Sequence, residues 1–449
     1  MMSAGVVGSG VGCVARMSAP AGPSGRGHWG VPAGRVERGE QLRAGRGGVP
    51  GGASPASLRW GGAVAPSPPS LRAARAVASQ DVVACGSGDF EDGVSELIRV
   101  DMPTLSKLTG PVREELAACN DNLRDVVGKR HPILVQASDL IFGAGGKRLR
   151  PILCLLVAKA SLEALDPARQ ADAGMEPGLE VRPKQMRLAE ITEMIHTASL
   201  VHDDVLDECD LRRGSPTVNS KFGSKTAVLV GDFLFAQSSW GLANLENFAV
   251  IKLISRVIAD FANGEIQQAQ SRFNPDFTVE EYLDKSYFKT ASLIAASTQS
   301  AAIFSSPDEA ADTEVALAMY AYGKHLGLAF QVVDDILDFT QTSDTLGKEA
   351  GQDLASGNLT APALFCLQRP EGEELRELID REFCNDGDVE HAIRLVTMPV
   401  ADGGCGLSDA MRLAREEGEK AIASLACLPA SPSKTALEDT VEYVLSRVN

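Results

Sequence analysis

Two stretches of the chain repeat small or apolar residues at intervals of three and four. One reads AEITEMIHTASLVHDDVLDE and begins at Ala189, and the other reads KHLGLAFQVVDDILDF and ends at Phe339. This spacing places the apolar residues on one face of an α-helix, so both stretches predict long, largely buried helices. The pattern continues over most of the chain after about Ser95, and no run alternates convincingly as a strand would. We therefore predict an all-α fold with one helical domain over residues 95–449.

The two predicted helices carry the same acidic sequence near their C-terminal ends. Residues 203–207 read DDVLD, and residues 334–338 read DDILD. Carboxylates four residues apart project from one helix face, where their charges destabilise the helix unless a cation binds. Oxygen ligands without His or Cys favour Mg²⁺ or Mn²⁺. A single motif is better explained by a solvated acidic face, but two copies across a cavity predict a clamp that holds a diphosphate through bridging metals.

Basic residues accompany the acidic motifs. The sequence GGKRLRP combines a Gly-rich turn with Lys147, Arg148 and Arg150, and Arg212 and Arg213 follow the first acidic motif. The backbone of such a turn can approach an anion closely, and guanidinium groups match the geometry of phosphate oxygens. Alone, GGKRLRP is as well explained by an ordinary surface loop. Together with the acidic motifs it predicts an anion pocket.

Composition and charge restrict the classes of function. Hydrophobic residues make up 44% of the chain, enough for a sizeable core, whereas aromatic residues make up only 5%. The net charge is −17, and residues 1–80 contain nine Arg, two Glu and no Lys or Asp, so their +7 leaves −24 on the remainder. Such an acidic body repels phosphate backbones, which argues against a nucleic-acid partner. The nine scattered Cys residues lack zinc-ligand spacing and suit a reducing compartment. An uninterrupted apolar run of about 18 residues is absent, so we expect no transmembrane segment.

The first 80 residues differ from the rest in composition. They are rich in Gly, Ala, Ser, Pro and Arg, nearly lack acidic residues and show no helical or strand periodicity. We expect a disordered organelle transit peptide over residues 1–80, the alternative being a disordered tail with another role. Ser, Pro and Gly dominate, and the first residues lack an Arg-bearing amphipathic helix, which favours a plastid over a mitochondrion.

Five motifs in this order closely resemble those of the trans-polyprenyl diphosphate synthases. They read GGKRLRP, HTASLVHDDVLDECDLRRG, KT at 289–290, FQVVDDILDF and GKEAGQDLASGNLTAP. The resemblance is closest to long-chain members of the solanesyl diphosphate synthase type, which make the side chains of plastoquinone or ubiquinone. It implies an isoprenoid-synthase-type helical bundle around a central cavity, usually a homodimer, whose product partitions to the membrane.

The resemblance also implies the ligands of the metal and of the allylic diphosphate. The expected ligands of Mg²⁺ are Asp203, Asp207, Asp334 and Asp338, with Asp204 and Asp335 assisting. The expected contacts of the allylic diphosphate are Arg212, Lys289, Thr290, Gln331 and Lys348.

The second substrate, isopentenyl diphosphate, is expected at another group of basic residues. These are Lys147, Arg150, His196 and Arg213. Taken alone, His196 is better explained by a local hydrogen bond, but it lies two helical turns before Asp203 and matches a family ligand. The chain departs from a common family pattern at Asn358, where many relatives carry Lys, so one basic contact near the second acidic motif is in question.

The implied chemistry is ionisation, condensation and elimination. Metals and basic residues stabilise the departing diphosphate, the allylic cation adds to isopentenyl diphosphate, and the released diphosphate accepts the proton. A terpene cyclase would need neither GGKRLRP nor a second complete acidic motif, and a non-catalytic regulatory subunit would have lost aspartates. A geranylgeranyl diphosphate synthase is the alternative with a shorter product.

Small residues before the first acidic motif bear on product length. Ala198 and Ser199 lie roughly 6–7.5 Å before Asp203 along the helix, on the wall that a growing prenyl tail must pass. Large aromatic residues there would close the cavity, so we expect a product longer than geranylgeranyl, near solanesyl. The floor of the cavity could involve Phe233 or Phe235, and the alternative is that the small residues only allow close helix packing.

Overall fold

The computed structural model describes residues 105–126, 131–143, 146–165, 181–212, 214–340, 350–370, 372–399 and 404–448. Within these ranges the regular secondary structure is helical apart from one short pair of strands, as the apolar periodicity predicts. No helix in the described part is both long enough and apolar enough to cross a membrane. The segment 1–80, the expected domain start at 95 and most of the polar connection at 166–183 lie outside the described residues.

Seventeen α-helices follow one another along the described chain. They are α1 (Leu105–Leu108), α2 (Arg113–Asp125), α3 (Pro132–Gly143), α4 (Leu149–Glu163), α5 (Pro183–Leu206), α6 (Val218–Phe222), α7 (Ser224–Ala243), α8 (Phe248–Gln270), α9 (Val279–Ser286), α10 (Ser292–Ile303), α11 (Glu314–Thr340), α12 (Gln352–Ala355), α13 (Ala361–Leu367), α14 (Gly372–Asp380), α15 (Asp388–Thr397), α16 (Gly406–Ser424) and α17 (Pro432–Leu445). Strands β1 (Leu211–Arg212) and β2 (Ser215–Pro216) pair antiparallel.

Helix α10 lies at the centre of the described helices. Every one of its residues is buried, and its sequence, SLIAASTQSAAI, consists mainly of small side chains. Helix α11 approaches it closely through two glycines: a Cβ on Gly327 would lie 2.6 Å from the Cα of Ala291, and one on Gly323 would lie 2.8 Å from the Cα of Ala295. Close packing of this kind fixes helix positions because interiors tolerate little extra volume.

The two helices that carry the acidic motifs are α5 and α11. Most of the apolar stripe predicted on each is buried, with Val205 and Phe330 only half-buried. Helix α5 ends at Leu206, directly before the last residue of the first motif, and α11 ends at Thr340, two residues after the second motif. Both motifs therefore lie at C-terminal helix ends, as the sequence predicts.

The β1–β2 hairpin turns the chain back after the first acidic motif. Arg212 and Ser215 are partners in its register. The backbone N–H of Cys209 donates to the carbonyl oxygen of Asp204 at 3.0 Å, and the side chain of Asn219 donates to the same oxygen at 3.2 Å. These bonds satisfy a helix-end carbonyl and hold the hairpin beside α5.

Candidate active site

A cavity of about 540 Å³ brings the acidic and basic motifs together. Its wall includes Asp204 from the first acidic motif, Asp334 from the second, and Lys147, Arg148 and Arg150 from the basic turn. The other polar or charged side chains of the wall are Glu193, His196, Thr197, Arg212, Ser215, Thr217, Tyr443 and Arg447. Cations outnumber carboxylates on this wall, so the cavity suits an anionic ligand.

The aspartates of the first motif have different surroundings. Asp204 is buried and accepts a hydrogen bond from Nε of Arg212 at 2.7 Å. Asp203 is half-buried, and Asp207 is exposed at the helix C-cap. The hairpin thus delivers Arg212 to the first motif, where the guanidinium neutralises one of three carboxylates.

The surroundings of Asp203 disfavour its ionised form. Burial raises its pKa from 3.8 to about 7, Glu265 and Asp207 add to the shift, and Lys289 and Arg212 oppose it. Lys289 is itself engaged, because its Nζ lies 2.6 Å from Oε1 of Glu265. A carboxylate in this position favours a further cation.

Lys289 and Thr290 lie in a π-helical turn, Tyr287–Ala291, between α9 and α10. Such turns displace side chains from regular helical register and are frequent at functional sites. A Cβ on Gly264 of α8 would lie 2.6 Å from Cγ of Lys289, so that glycine leaves room for the lysine stem. The Nζ atom of Lys289 also donates to Oε1 of Gln268 at 2.9 Å.

Neutral donors hold the central aspartate of the second motif. The hydroxyl of Tyr282 donates to Oδ2 of Asp335 at 2.6 Å, and Nε2 of Gln331 donates to Oδ1 at 2.7 Å. Gln331 in turn accepts from the hydroxyl of Thr290 at 2.6 Å. Burial raises the pKa of Asp335, and Asp353 adds to that shift. The expected allylic-substrate contacts Thr290 and Gln331 are therefore bonded to each other beside the motif.

The outer aspartates of the second motif contact the C-terminal part of the chain. Nη1 of Arg447 lies 2.6 Å from Oδ1 of Asp334, and its guanidinium lies over the ring of Phe330 at 5.1 Å. Burial raises the pKa of Asp334, while Arg447, Arg150 and Lys147 oppose the shift. Oδ2 of Asp338 accepts from the backbone N–H of Asp353 at 3.2 Å.

The basic residues of the turn all line the cavity but have different partners. Arg148 has a left-handed backbone at φ 50° and forms an ion pair with Glu193 at 2.6 Å, so it fixes the turn against α5. Nη1 of Arg150 lies 2.9 Å from Nε2 of His196. Nζ of Lys147 lies over the ring of Tyr443 at 5.2 Å. Arg150 and His196, both expected ligands of isopentenyl diphosphate, are thus adjacent.

Two expected site residues are not described, and others do not line the cavity. Arg213 and Lys348 fall outside the described residues. Ala198 is fully buried in the core, and the Ser199 hydroxyl donates to the carbonyl oxygen of His196 at 2.9 Å. Neither residue lines the cavity described above, so their role in chain length stays a prediction. The phenylalanines at 233 and 235 are partly buried on α7.

The sequence analysis missed several residues near the site, among them Glu265, Tyr443 and Arg447. Glu265 sits on an amphipathic helix, where a charged residue is ordinary. Tyr443 lies on α17 and Arg447 in the 3-10 turn Ser446–Val448 that follows it, and nothing in their spacing indicates the cavity.

The carboxylates fit a metal that the substrate helps to hold. In the part of the chain that the structure describes, no three His, Cys, Asp or Glu side chains form a ready-made metal cage. Mg²⁺ usually binds one or two carboxylates and completes its octahedron with water and phosphate oxygens. The ligands are all oxygen atoms, and the raised pKa of Asp203 shows that its ionised form lacks compensating positive charge. Both features suit a divalent cation that binds together with a diphosphate.

Comparisons with known proteins identify the family of the chain. Residues 131–396 match the sequence profile of the polyprenyl synthetase family. Solanesyl diphosphate synthase 1, chloroplastic, of Arabidopsis thaliana is 53% identical over 354 residues, which are 79% of this chain and 78% of that protein. A decaprenyl diphosphate synthase structure from Rhodobacter capsulatus is 33% identical with a TM-score of 0.66, covering 77% of this chain and 100% of that one. A Caulobacter crescentus polyprenyl synthase, complexed with calcium and isoprenyl diphosphate, is 30% identical with a TM-score of 0.66, covering 77% and 98%. The all-α prediction is confirmed, and the chain belongs to the polyprenyl synthetase family of prenyltransferases.

Proposed function

We propose that this prenyltransferase condenses an allylic diphosphate with successive molecules of isopentenyl diphosphate to give a long all-trans polyprenyl diphosphate, solanesyl diphosphate. The observation that carries the proposal is the cavity that joins a carboxylate of each acidic motif to a cationic wall. The similarity to a solanesyl diphosphate synthase supports the long product.

The allylic diphosphate would bind between the acidic motifs. Asp203, Asp207, Asp334 and Asp338 would hold Mg²⁺ or Mn²⁺, which acts as a Lewis acid on the departing diphosphate. Arg212 and Lys289 share the developing negative charge. The Thr290–Gln331–Asp335 chain of hydrogen bonds orients the polar wall beside them. Arg213 and Lys348 are assigned to the substrates by family resemblance.

Isopentenyl diphosphate would bind at the basic turn, where Lys147, Arg150 and His196 face the same cavity. The apolar part of the wall excludes water from the allylic cation, since a captured cation would give an alcohol. The residues of this apolar part are Leu140, Ile141, Leu149, Leu200, Val201, Pro216, Val218, Ile294 and Phe330. The proton lost in each addition would pass to the released diphosphate.

A homodimer would cover an apolar surface on α7 and α8. Leu229 and Trp240 on α7 are 65% and 63% exposed, and Phe248 and Ile266 on α8 are 82% and 57% exposed. The members of each pair are 11 and 18 residues apart, so each pair shares one helix face. Exposed apolar surface of this kind is typical of an interface, and a second copy of the chain is the occupant that family resemblance implies.

The enzyme would act in a plastid, with residues 1–80 as transit peptide. The name of the Arabidopsis thaliana relative includes the word chloroplastic. A reporter fused to residues 1–80 should enter plastids; a mitochondrial signal would correct the compartment, and a cytosolic signal would refute the transit peptide.

Purified protein mixed with Mg²⁺, labelled isopentenyl diphosphate and an allylic primer tests the whole proposal. We expect polyprenyl products near solanesyl length on chromatography. A product that ends at geranylgeranyl diphosphate would favour the short-chain alternative. If the protein forms no product by itself but does so when a partner synthase is added, a regulatory subunit would be favoured.

A further inference from the structure

Lys285 is a buried cation that none of the motifs predicted. It is only 4% exposed and lies three residues after Tyr282 on α9, so both side chains share one helix face. Its Nζ donates to Oδ1 of Asn358 at 2.7 Å. The same ammonium lies over the rings of Phe277 and Tyr282 at 5.4 and 5.6 Å. A buried ammonium is costly unless nearby negative charge compensates it, so its surroundings need an account.

The compensating charges belong to the second acidic motif and to helix α12. The Nδ2 atom of Asn358 donates to Oδ1 of Asp353 at 3.1 Å, and the backbone N–H of Asp353 donates to Oδ2 of Asp338 at 3.2 Å. A chain of hydrogen bonds thus connects Lys285 to the last carboxylate of the motif. Burial lowers the pKa of Lys285, and the charges of Asp335 and Asp353 oppose that shift.

Position 358 is the one at which many members of the resembled family carry Lys, although GNLTAP resembles the version in the plastid and cyanobacterial long-chain enzymes. Asn358 supplies no charge, but its amide oxygen accepts from Lys285, so an ammonium lies within hydrogen-bond distance of the position. The positive charge near position 358 therefore comes from Lys285 on α9 and not from the residue at position 358 itself.

We propose that Lys285 is a positioning residue for the second acidic motif, which supplies from α9 the charge expected at position 358. It offsets the negative charge of Asp335 and Asp353 and, through Asn358 and Asp353, fixes Asp338 for metal and diphosphate. The proposal rests on the proposed function and extends it to a residue outside the five motifs.

Moving the positive charge from position 285 to position 358 distinguishes this positioning role from a purely structural one. Lys285→Met should raise the half-saturating Mn²⁺ concentration about tenfold, measured by calorimetry with inorganic pyrophosphate present. Asn358→Lys alone should also weaken binding, because two ammonium groups then lie side by side. The double variant should recover to within about threefold of wild type, since one charge is restored. If Lys285 only stabilised the fold, Asn358→Lys would not weaken Mn²⁺ binding in the wild-type background and restore it in the Lys285→Met background.

Lys159→Met is the matched control. Lys159 is partly buried and forms an ion pair with Glu115 at 2.6 Å, away from the acidic motifs. Its loss should lower the melting temperature and leave the Mn²⁺ titration unchanged. If Lys285→Met does not fold, Lys285→Gln, which keeps a donor toward Asn358 without the charge, is measured in its place and should weaken Mn²⁺ binding similarly.

The outcomes distinguish this proposal from the proposed function. The role of Lys285 would be overturned if Lys285→Met left the Mn²⁺ titration unchanged. It would also be overturned if the double variant bound Mn²⁺ no more tightly than Lys285→Met. A wild-type protein that forms no polyprenyl product would overturn the proposed function, while the titration with pyrophosphate would still decide the role of Lys285.

Discussion

Replacing Asp203 with Asn should stabilise the metal-free protein even though it abolishes turnover. Without metal, burial, Glu265 and Asp207 raise the pKa of Asp203 from 3.8 to about 7. An acid whose folded-state pKa exceeds its unfolded value holds its proton more tightly in the folded protein, so its ionisation opposes folding. The loss of stability therefore begins as pH rises above the unfolded pKa of about 3.9, grows up to the folded pKa and is complete above it.

The size of the effect follows from the shift. A change from 3.8 to about 7 is about three pKa units, and each unit corresponds to about 1.4 kcal/mol. The upper bound is then about 4 kcal/mol at pH 8.5, and relaxation around the charge should reduce it to about 2–3 kcal/mol. An Asn of the same shape removes this cost and the repulsion with Glu265 together.

The assay is urea unfolding in EDTA at pH 5 and pH 8.5. Asp203→Asn should exceed wild type in unfolding free energy at pH 8.5, and the difference should narrow at pH 5. Asp139→Asn, at an exposed position on α3, controls for the general relief of a net charge of −17. Equal gains in both variants, or a less stable Asp203→Asn at pH 8.5, would refute the reasoning.

Three further predictions concern other parts of the site. Asp334→Ala should abolish turnover while leaving the circular dichroism spectrum helical, and EDTA should have the same effect on wild type; activity within about threefold of wild type would contradict the metal role. Arg447→Gln should lower the half-saturating Mg²⁺ concentration about fivefold, because an ion pair worth about 1 kcal/mol no longer competes for Asp334. The same variant should raise the KM for a diphosphate substrate. An unchanged Mg²⁺ titration would show that Arg447 does not compete with the metal. Ala198→Phe should shorten the product sharply and spare the first condensation, so a full-length product by chromatography would show that the tail does not pass this position.

The fold was largely predictable because helical periodicity is a local property. The apolar stripes of α5 and α11 repeat over several turns, and each stripe became buried as the spacing predicts. The π-helical turn at Tyr287–Ala291 was not predictable in the same way. Its register depends on tertiary packing, including the space that Gly264 leaves for Lys289, and a single sequence does not reveal that contact.

The site was predictable where a residue type conflicts with its surroundings. Carboxylates that interrupt an apolar stripe are costly, so both acidic motifs stand out from sequence alone. Glu265 does not stand out, because a charged residue on an amphipathic helix is ordinary, and neither does Arg447, which lies in a short 3-10 turn after α17. Arg447 becomes recognisable only when the chain end meets α11 and places its guanidinium on Asp334.

The two acidic motifs have nearly the same sequence but are electrostatically different sites. In the first motif the central carboxylate, Asp204, pairs with Arg212 on the adjacent hairpin. In the second motif the equivalent carboxylate, Asp335, accepts hydrogen bonds from neutral donors. The cation that we assign to it is Lys285 on α9. The guanidinium of Arg212 also lines the cavity, as does that of Arg447, which pairs with Asp334 of the second motif. The buried cation Lys285 does not line it. The same acidic sequence is thus compensated by different groups in the two motifs, because the neighbouring elements differ.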